Sequence, residues 1–190
     1  MSAFVRPPAG PVVLRLDEQE TSILEQLASQ LVDMLEDATR AGLATAVELD
    51  PAMARLVPEG YRDDPEAAAE FRRFTADDLV GGKVAAAKTV LAGLTHDAAD
   101  GADAVSPREL PPGHEAVVTL EGETAWTWLR FLNDTRLTIA ARLGIEEDDA
   151  EPFDPPPATS DDEQDPQLMM AIYAWLGYLQ ESIVAVLDEA

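Results

Sequence analysis

The 190-residue chain contains no cysteine. That excludes a disulfide framework, a thiolate nucleophile, a zinc ribbon and a thiol redox switch. Histidine is almost as scarce, with only His96 and His114, both in a stretch without sustained periodicity. A metal site needs several converging ligands held by a rigid surround, so no metal-binding residues are expected. Long apolar runs are missing too. The longest uncharged one, residues 168–179, is 12 residues, short of the roughly 20 that a bilayer span needs. Residues 1–11 hold prolines and Arg6 but no continuous apolar stretch of the kind an export signal uses. A cytoplasmic location with no membrane partner is the expectation.

The sequence patterns of common catalytic sites are equally lacking. Gly81-Gly82-Lys83 has neither the first glycine nor the Ser/Thr of a phosphate-binding loop, and no strand precedes it. The acidic runs Glu146-Glu147-Asp148-Asp149 and Asp161-Asp162-Glu163 lack the spaced ligands and the glycine of a calcium loop. No nucleophile elbow or dinucleotide fingerprint occurs. No catalytic residue, no cofactor and no cofactor-binding residue is therefore assigned, and the expected protein is not an enzyme.

Acid is what the chain has in abundance. There are 37 Asp and Glu against 13 Lys and Arg, a formal charge of -24. A polyanion is repelled by nucleic acid unless its bases gather on one face. They gather only in part: Arg55, Arg62, Arg72, Arg73, Lys83 and Lys88 lie among Glu66, Glu70, Asp77 and Asp78, which can pair with them. Direct nucleic-acid binding is not expected. After Arg142 there are 13 acids and no base. Because 46% of residues are apolar or aromatic, the charge does not keep the chain unfolded.

Periodicity predicts an all-α protein, a single-domain helical bundle of about six helices with a small N-terminal β-hairpin. Residues 1–16 read as the hairpin, since Val12, Leu14 and Leu16 alternate with Val13 and Arg15. Residues 17–94 read as helices. Asp17 with Glu20 forms a capping-box start, and Ile23, Leu24, Leu27, Leu31, Met34, Leu35 and Ala38 repeat at helical spacing. Asp50-Pro51 opens a short helix ended by Pro58, and Asp64-Pro65 opens another over 66–74. A further helix runs from Thr75 or Lys83 to Leu94, with Gly81-Gly82 costing about 1 kcal/mol each. Residues 95–118 are predicted to be a mobile loop. Residues 119–144 form a helix closed by Gly144, residues 145–165 an acidic, proline-rich loop, and residues 166–188 a C-terminal helix.

On a helical wheel Ala125, Trp128, Leu129, Leu132, Ile139, Ala140 and Leu143 share one face, with Arg136 near its centre. A guanidinium there must be paired or must reach water along its stem. Asp134 points the other way. Glu70 is the first candidate partner, then Glu181 and Gln180, with Asn133 at the edge of the same face. Arg136, Glu70 and Asn133 thus mark either a structural ion pair or a pocket. Trp126, Trp128, Phe131, Tyr173, Trp175 and Tyr178 read as an aromatic cluster between the last two helices. Of these, Trp126, Phe131 and Tyr173 are the candidates for facing outward, where they could anchor a partner. Arg55, Tyr61, Arg62, Arg72 and Arg73 complete the candidate interaction surface.

Several motifs are similar to those of an actinobacterial domain-of-unknown-function family, two-thousand-seventeen in the usual series. They are Asp50-Pro51, Arg55-Leu56-Val57-Pro58, Tyr61-Arg62-Asp63-Asp64-Pro65, Glu70-Phe71-Arg72, Trp128-Leu129 with Leu132-Asn133-Asp134, Arg136-Leu137, Arg142-Leu143-Gly144-Ile145 and Tyr173-Ala174-Trp175-Leu176-Gly177. The resemblance implies an oxidative-stress transcriptional regulator of the AosR type acting with a sigma factor. It also implies gene neighbourhoods shared with the ClpS proteolytic adaptor. A thiol-based sensing step attached to that label has no counterpart in a chain without cysteine. The reading is an acidic, non-enzymatic regulator that binds a sigma factor or a similar basic protein. The alternatives are an accessory of Clp proteolysis, or a small-molecule sensor or enzyme with a pocket at Arg136. The apolar stripe of the last helix would serve a homodimer as readily as a monomer.

Overall fold

A computed structural model describes residues 2–7, 10–58, 65–100, 116–145 and 166–188, with side chains described outside 65–74 and 96–100. The expected hairpin is present as β1 (Phe4–Val5) and β2 (Val12–Leu16), but it is two-thirds of a sheet. A third strand, β3 (Ala116–Leu120), pairs antiparallel with the other edge of β2, giving the order β1-β2-β3. The expected loop over 95–118 and helix from 119 meet within this strand, so both boundaries are corrected. Ala116-Val117-Val118-Thr119-Leu120 is β-branched but only five residues long, too short to show a period without its partner. Register places Leu14 opposite both Phe4 and Val118, and Leu16 opposite Ala116. Phe4, Val12, Leu14, Leu16, Ala116, Val118 and Leu120 therefore form one buried face against the helices. β3 satisfies the free edge of β2, which a hairpin alone would leave open.

Six helices follow among the described residues, though not the six that were expected. α1 (Glu18–Ala41) starts as read: the Glu20 amide donates to Asp17 Oδ1 at 2.8 Å, and Glu20 Oε2 accepts from the Asp17 amide at 3.1 Å. After Gly42, at φ 97°, comes α2 (Leu43–Leu49), which the periodicity did not reveal because none of its residues is fully buried. α3 (Pro51–Leu56) has Asp50 as N-cap and Pro51 in its first turn. α4 (Pro65–Asp100) is one 36-residue helix, where two shorter ones were expected. It passes through Gly81-Gly82 and extends six residues into the predicted mobile loop. Burial of Ala76, Val80, Ala86, Ala87, Val90 and Leu94 along it outweighs the two glycines. α5 (Glu123–Leu143) and α6 (Pro166–Asp188) complete the set. Residues 101–115 of the predicted mobile loop and 146–165 of the predicted acidic loop lie outside the described residues.

The core is centred on α5, which packs against α1, α3, α4 and α6. Trp128 is fully buried there. The Phe4 ring meets it edge-on at 5.9 Å, and Phe131 meets it edge-on at 6.5 Å. The Phe4 amide donates to Ser182 Oγ at 3.0 Å, which fixes β1 to α6.

Candidate functional site

An apolar groove of about 750 Å³ runs between α1, α5 and α6. Ile23, Leu27, Leu31 and Met34 of α1, Ile139 of α5, and Leu168, Met169 and Ile172 of α6 supply its apolar lining. Gln19, Gln26 and Gln30 form a polar row on the α1 side, with Thr135, Thr138 and Arg142 on the α5 side. The helical stripe of α1 explains why this surface is open. Leu24, Ala28, Leu31, Val32, Leu35 and Ala38 carry the buried face, whereas Ile23, Leu27 and Met34 are rotated off it and only half-buried. In the sequence alone the two sets read as one stripe at helical spacing. The glutamines at helical spacing beside Ile23 and Leu27 were the available signal for a second, solvated face.

Arg142 closes one end of the groove without offering a free charge. Its two terminal nitrogens donate to Asp50 Oδ1 and Oδ2 at 2.8 and 2.7 Å, a bidentate pair. Asp50 also accepts from the Ala52 amide at 2.8 Å as the cap of α3. Partial burial pushes the Asp50 carboxyl upward, but the Arg142 guanidinium and the backbone amide hold it below the usual carboxylate range.

Arg136 does not line the groove. The residues buried on α5 include Phe131, Asp134 and Thr135, so the packed face is broader than the wheel suggested. Arg136 therefore sits at its edge, half-buried against α6. Its Nη1 donates to Gln180 Oε1 at 2.7 Å, its Cζ lies 4.6 Å from the centre of the Tyr173 ring, and Gly177 passes beneath the guanidinium. Nε is buried without a hydrogen-bond partner. Among the described residues no carboxylate pairs with it; the Glu70 side chain lies outside them. Asn133 is exposed and makes no hydrogen bond to Arg136.

Asp134 is the buried charge on the opposite flank of α5, 4% exposed. Lys83 Nζ, on α4, stands 2.6 Å from its Oδ1. Burial pushes the Asp134 carboxyl above its ordinary range, against the pull of Lys83 and Asn133.

The remaining candidates scatter. Phe131, expected at the surface, is fully buried beside Trp128, because α5 is enclosed on several sides. Trp126 is 49% exposed and Tyr173 half-buried under Arg136. Arg55 Nη2 donates to the Ile145 carbonyl, tying α3 to the end of α5. Tyr61, Arg62 and the side chains of Arg72 and Arg73 lie outside the described residues. Among the described residues no three potential metal-ligating side chains converge.

α6 has two faces. Leu176, Gly177, Leu179, Ile183 and Val186 are buried, while Leu168, Tyr178 and Val184 are exposed. By length and composition α6 could cross a bilayer, which the 12-residue uncharged run did not suggest; in the protein its inner face belongs to the core.

This is an all-helical fold with a three-stranded sheet, presenting an open apolar groove and an apolar helix face. The chain belongs to the domain-of-unknown-function family DUF2017, whose model matches residues 1–187. No curated protein and no solved structure matches it.

Proposed function

We propose that the protein is a non-enzymatic regulator that holds a basic amphipathic helix of another protein in the groove between α1, α5 and α6. The observation that carries this is the groove itself, lined mainly by apolar side chains together with glutamines, threonines and an Arg142 already paired with Asp50. Such a lining receives the apolar stripe of a helix, and Met34 and Met169 let it adapt to the shape presented. Acid surrounds it. Asp33 and Asp37 stand on α1 three residues beyond Gln30 and Met34. The facing ends of α5 and α6, which line the groove, are joined by residues 146–165, with ten acids and no base. A helix with Lys and Arg on its polar face is complementary to that arrangement, and the charge accelerates its association. The resemblance to AosR-type regulators directs attention to a sigma factor as the source of the helix, and so to transcription in the cytoplasm. Without cysteine, no thiol–disulfide response to oxidant can originate in this chain.

A second reading takes support from the same volume, which lies in the range of small-molecule pockets. An apolar ligand would then be sensed in the groove rather than at Arg136.

Titration of the purified sigma factor, at about 50 and about 300 mM salt, separates the two. Binding at low salt that falls at least tenfold at high salt is expected. Gln30→Arg and Leu27→Glu should each weaken it by about tenfold or more. No binding at low salt would count against the proposal.

A further inference from the structure

We infer that Met34 and Met169 form a reversible oxidation site, and that their sulfoxides make the groove unfit for an apolar occupant. The chain has five methionines and no cysteine, so thioethers are its oxidisable sulfurs. Met1 lies outside the described residues. Of the other four, Met53 is 1% exposed within the core, and Met170 is half-buried but does not line the groove. Met34 and Met169 do line it, from opposite walls, and both are half-buried there. A thioether on an open groove is reached by small solutes; one enclosed in the core is not.

The fold sets the two methionines at the same end of the groove. Phe4 joins Ser182 of α6 to Trp128 of α5, while Gly177 passes Arg136. α6 therefore runs back along α5, and Met169, eight residues before Gly177, lies toward the end that holds Arg142. Met34 is at that end as well, since Arg142 Nη2 donates to its Sδ at 3.8 Å. The same nitrogen donates to Asp50, the N-cap of α3. A sulfoxide oxygen is a stronger acceptor than a thioether sulfur. Formed at Met34, it competes with Asp50 for Arg142, so oxidation acts on the groove wall and on the tie between α5 and α3. Formed at Met169, it sets a polar oxygen among the apolar side chains that α6 gives to the groove.

The chemistry needs only an oxygen donor of the peroxide class. A sulfur lone pair attacks one peroxide oxygen, and an S–O bond forms as the O–O bond breaks. The second oxygen takes the proton of the first and leaves as water. Sulfur loses two electrons and the peroxide gains them. A dithiol reductase reverses the step: the oxygen leaves as water and the reductase ends as a disulfide. The product is a polar, chiral side chain in place of an adaptable apolar one. Its consequence for a docked helix rests on the function proposed for the groove; the oxidation site itself does not.

The test treats the full chain with hydrogen peroxide and follows the gain of about 16 Da at each methionine by peptide mass. Met34 and Met169 should oxidise at least about tenfold faster than Met53. The uncharged dye Nile red, whose binding Leu27→Glu should weaken, reports on the groove without any protein partner. Its affinity should fall about tenfold on oxidation and return after treatment with methionine sulfoxide reductase. The double variant Met34→Leu/Met169→Leu, which keeps Met53 and Met170, should bind the dye like the untreated protein, and peroxide should leave that affinity unchanged. Titration of the sigma factor into the same samples bears on the helix alone: no binding by the untreated protein sinks that function and leaves the dye to decide this one. Four results would each overturn the proposal: Met53 oxidised as fast as the groove methionines, no dye taken up by the untreated protein, unchanged dye affinity after oxidation, or an equal loss in the double variant.

Discussion

Lys83 and Asp134 carry the most consequential charges in the described part of the molecule. Their side chains are 16% and 6% exposed, so each has lost most of its water and depends on the other. Removing one partner from such a pair costs far more than replacing both with apolar groups. Lys83→Met is therefore expected to destabilise by about 3 kcal/mol, and Lys83→Met with Asp134→Leu by clearly less, both measured by urea unfolding. The pH dependence adds a check. The folded Asp134 carboxyl is raised, so its contribution is fully present below the unfolded value and declines as pH rises through the folded one. Without Lys83 that decline should steepen. Asp50 behaves oppositely. Its folded value is lowered, so its contribution is present above about pH 4 and is lost as pH falls through the folded value. Asp50→Asn keeps an N-cap but loses the charge facing Arg142. It should flatten the acid limb of the stability curve between about pH 5 and pH 2, at a cost of about 1 kcal/mol near neutrality.

At the scale of elements, α4 is the instructive case. Two glycines in the middle of a helix argued for a break, and the helix runs through them. A Cβ added at Gly81 or Gly82 meets no atom within 4 Å, and neither residue has positive φ. Gly81→Ala and Gly82→Ala should each stabilise by about 0.5–1 kcal/mol, read as a rise in melting temperature. A loss of stability at either position would show that the helix needs its flexibility there. α1 and α6 share a second lesson. Both carry more apolar residues than their buried faces use, and the surplus forms the groove in one case and the outer face in the other. Periodicity reported that these helices are amphipathic. It could not report how wide a sector their neighbours would cover.

For the whole molecule, the sheet and the aromatic centre bring distant segments together. Residues 12–16 pair with residues 116–120, and Phe4 meets Trp128 while its amide reaches Ser182. None of these contacts is local, so none leaves a pattern within one window of sequence. The charge is also distributed on this scale. The ion pairs Lys88–Glu36, Lys83–Asp134 and Arg142–Asp50 each join separate parts of the chain. Lys83, Lys88 and Arg142 are thereby neutralised within the chain, which leaves the acidic excess to meet other molecules.

The sequence by itself determined the helical class, the alternation of Val12, Leu14 and Leu16 in the hairpin, the caps at Asp17 and Asp50, and the lack of any thiol chemistry. Each rests on a local rule, such as side-chain period, a cap within three residues, or a residue type that is absent. Tertiary structure alone decided that β3 completes the sheet, that α4 is unbroken and that Phe131 is interior. It also decided that Arg136 answers to Tyr173 and Gln180, and that the open groove lies on the α1 side of α5. Those outcomes depend on which faces meet, and the free energy of burial is settled only between elements that have already found each other.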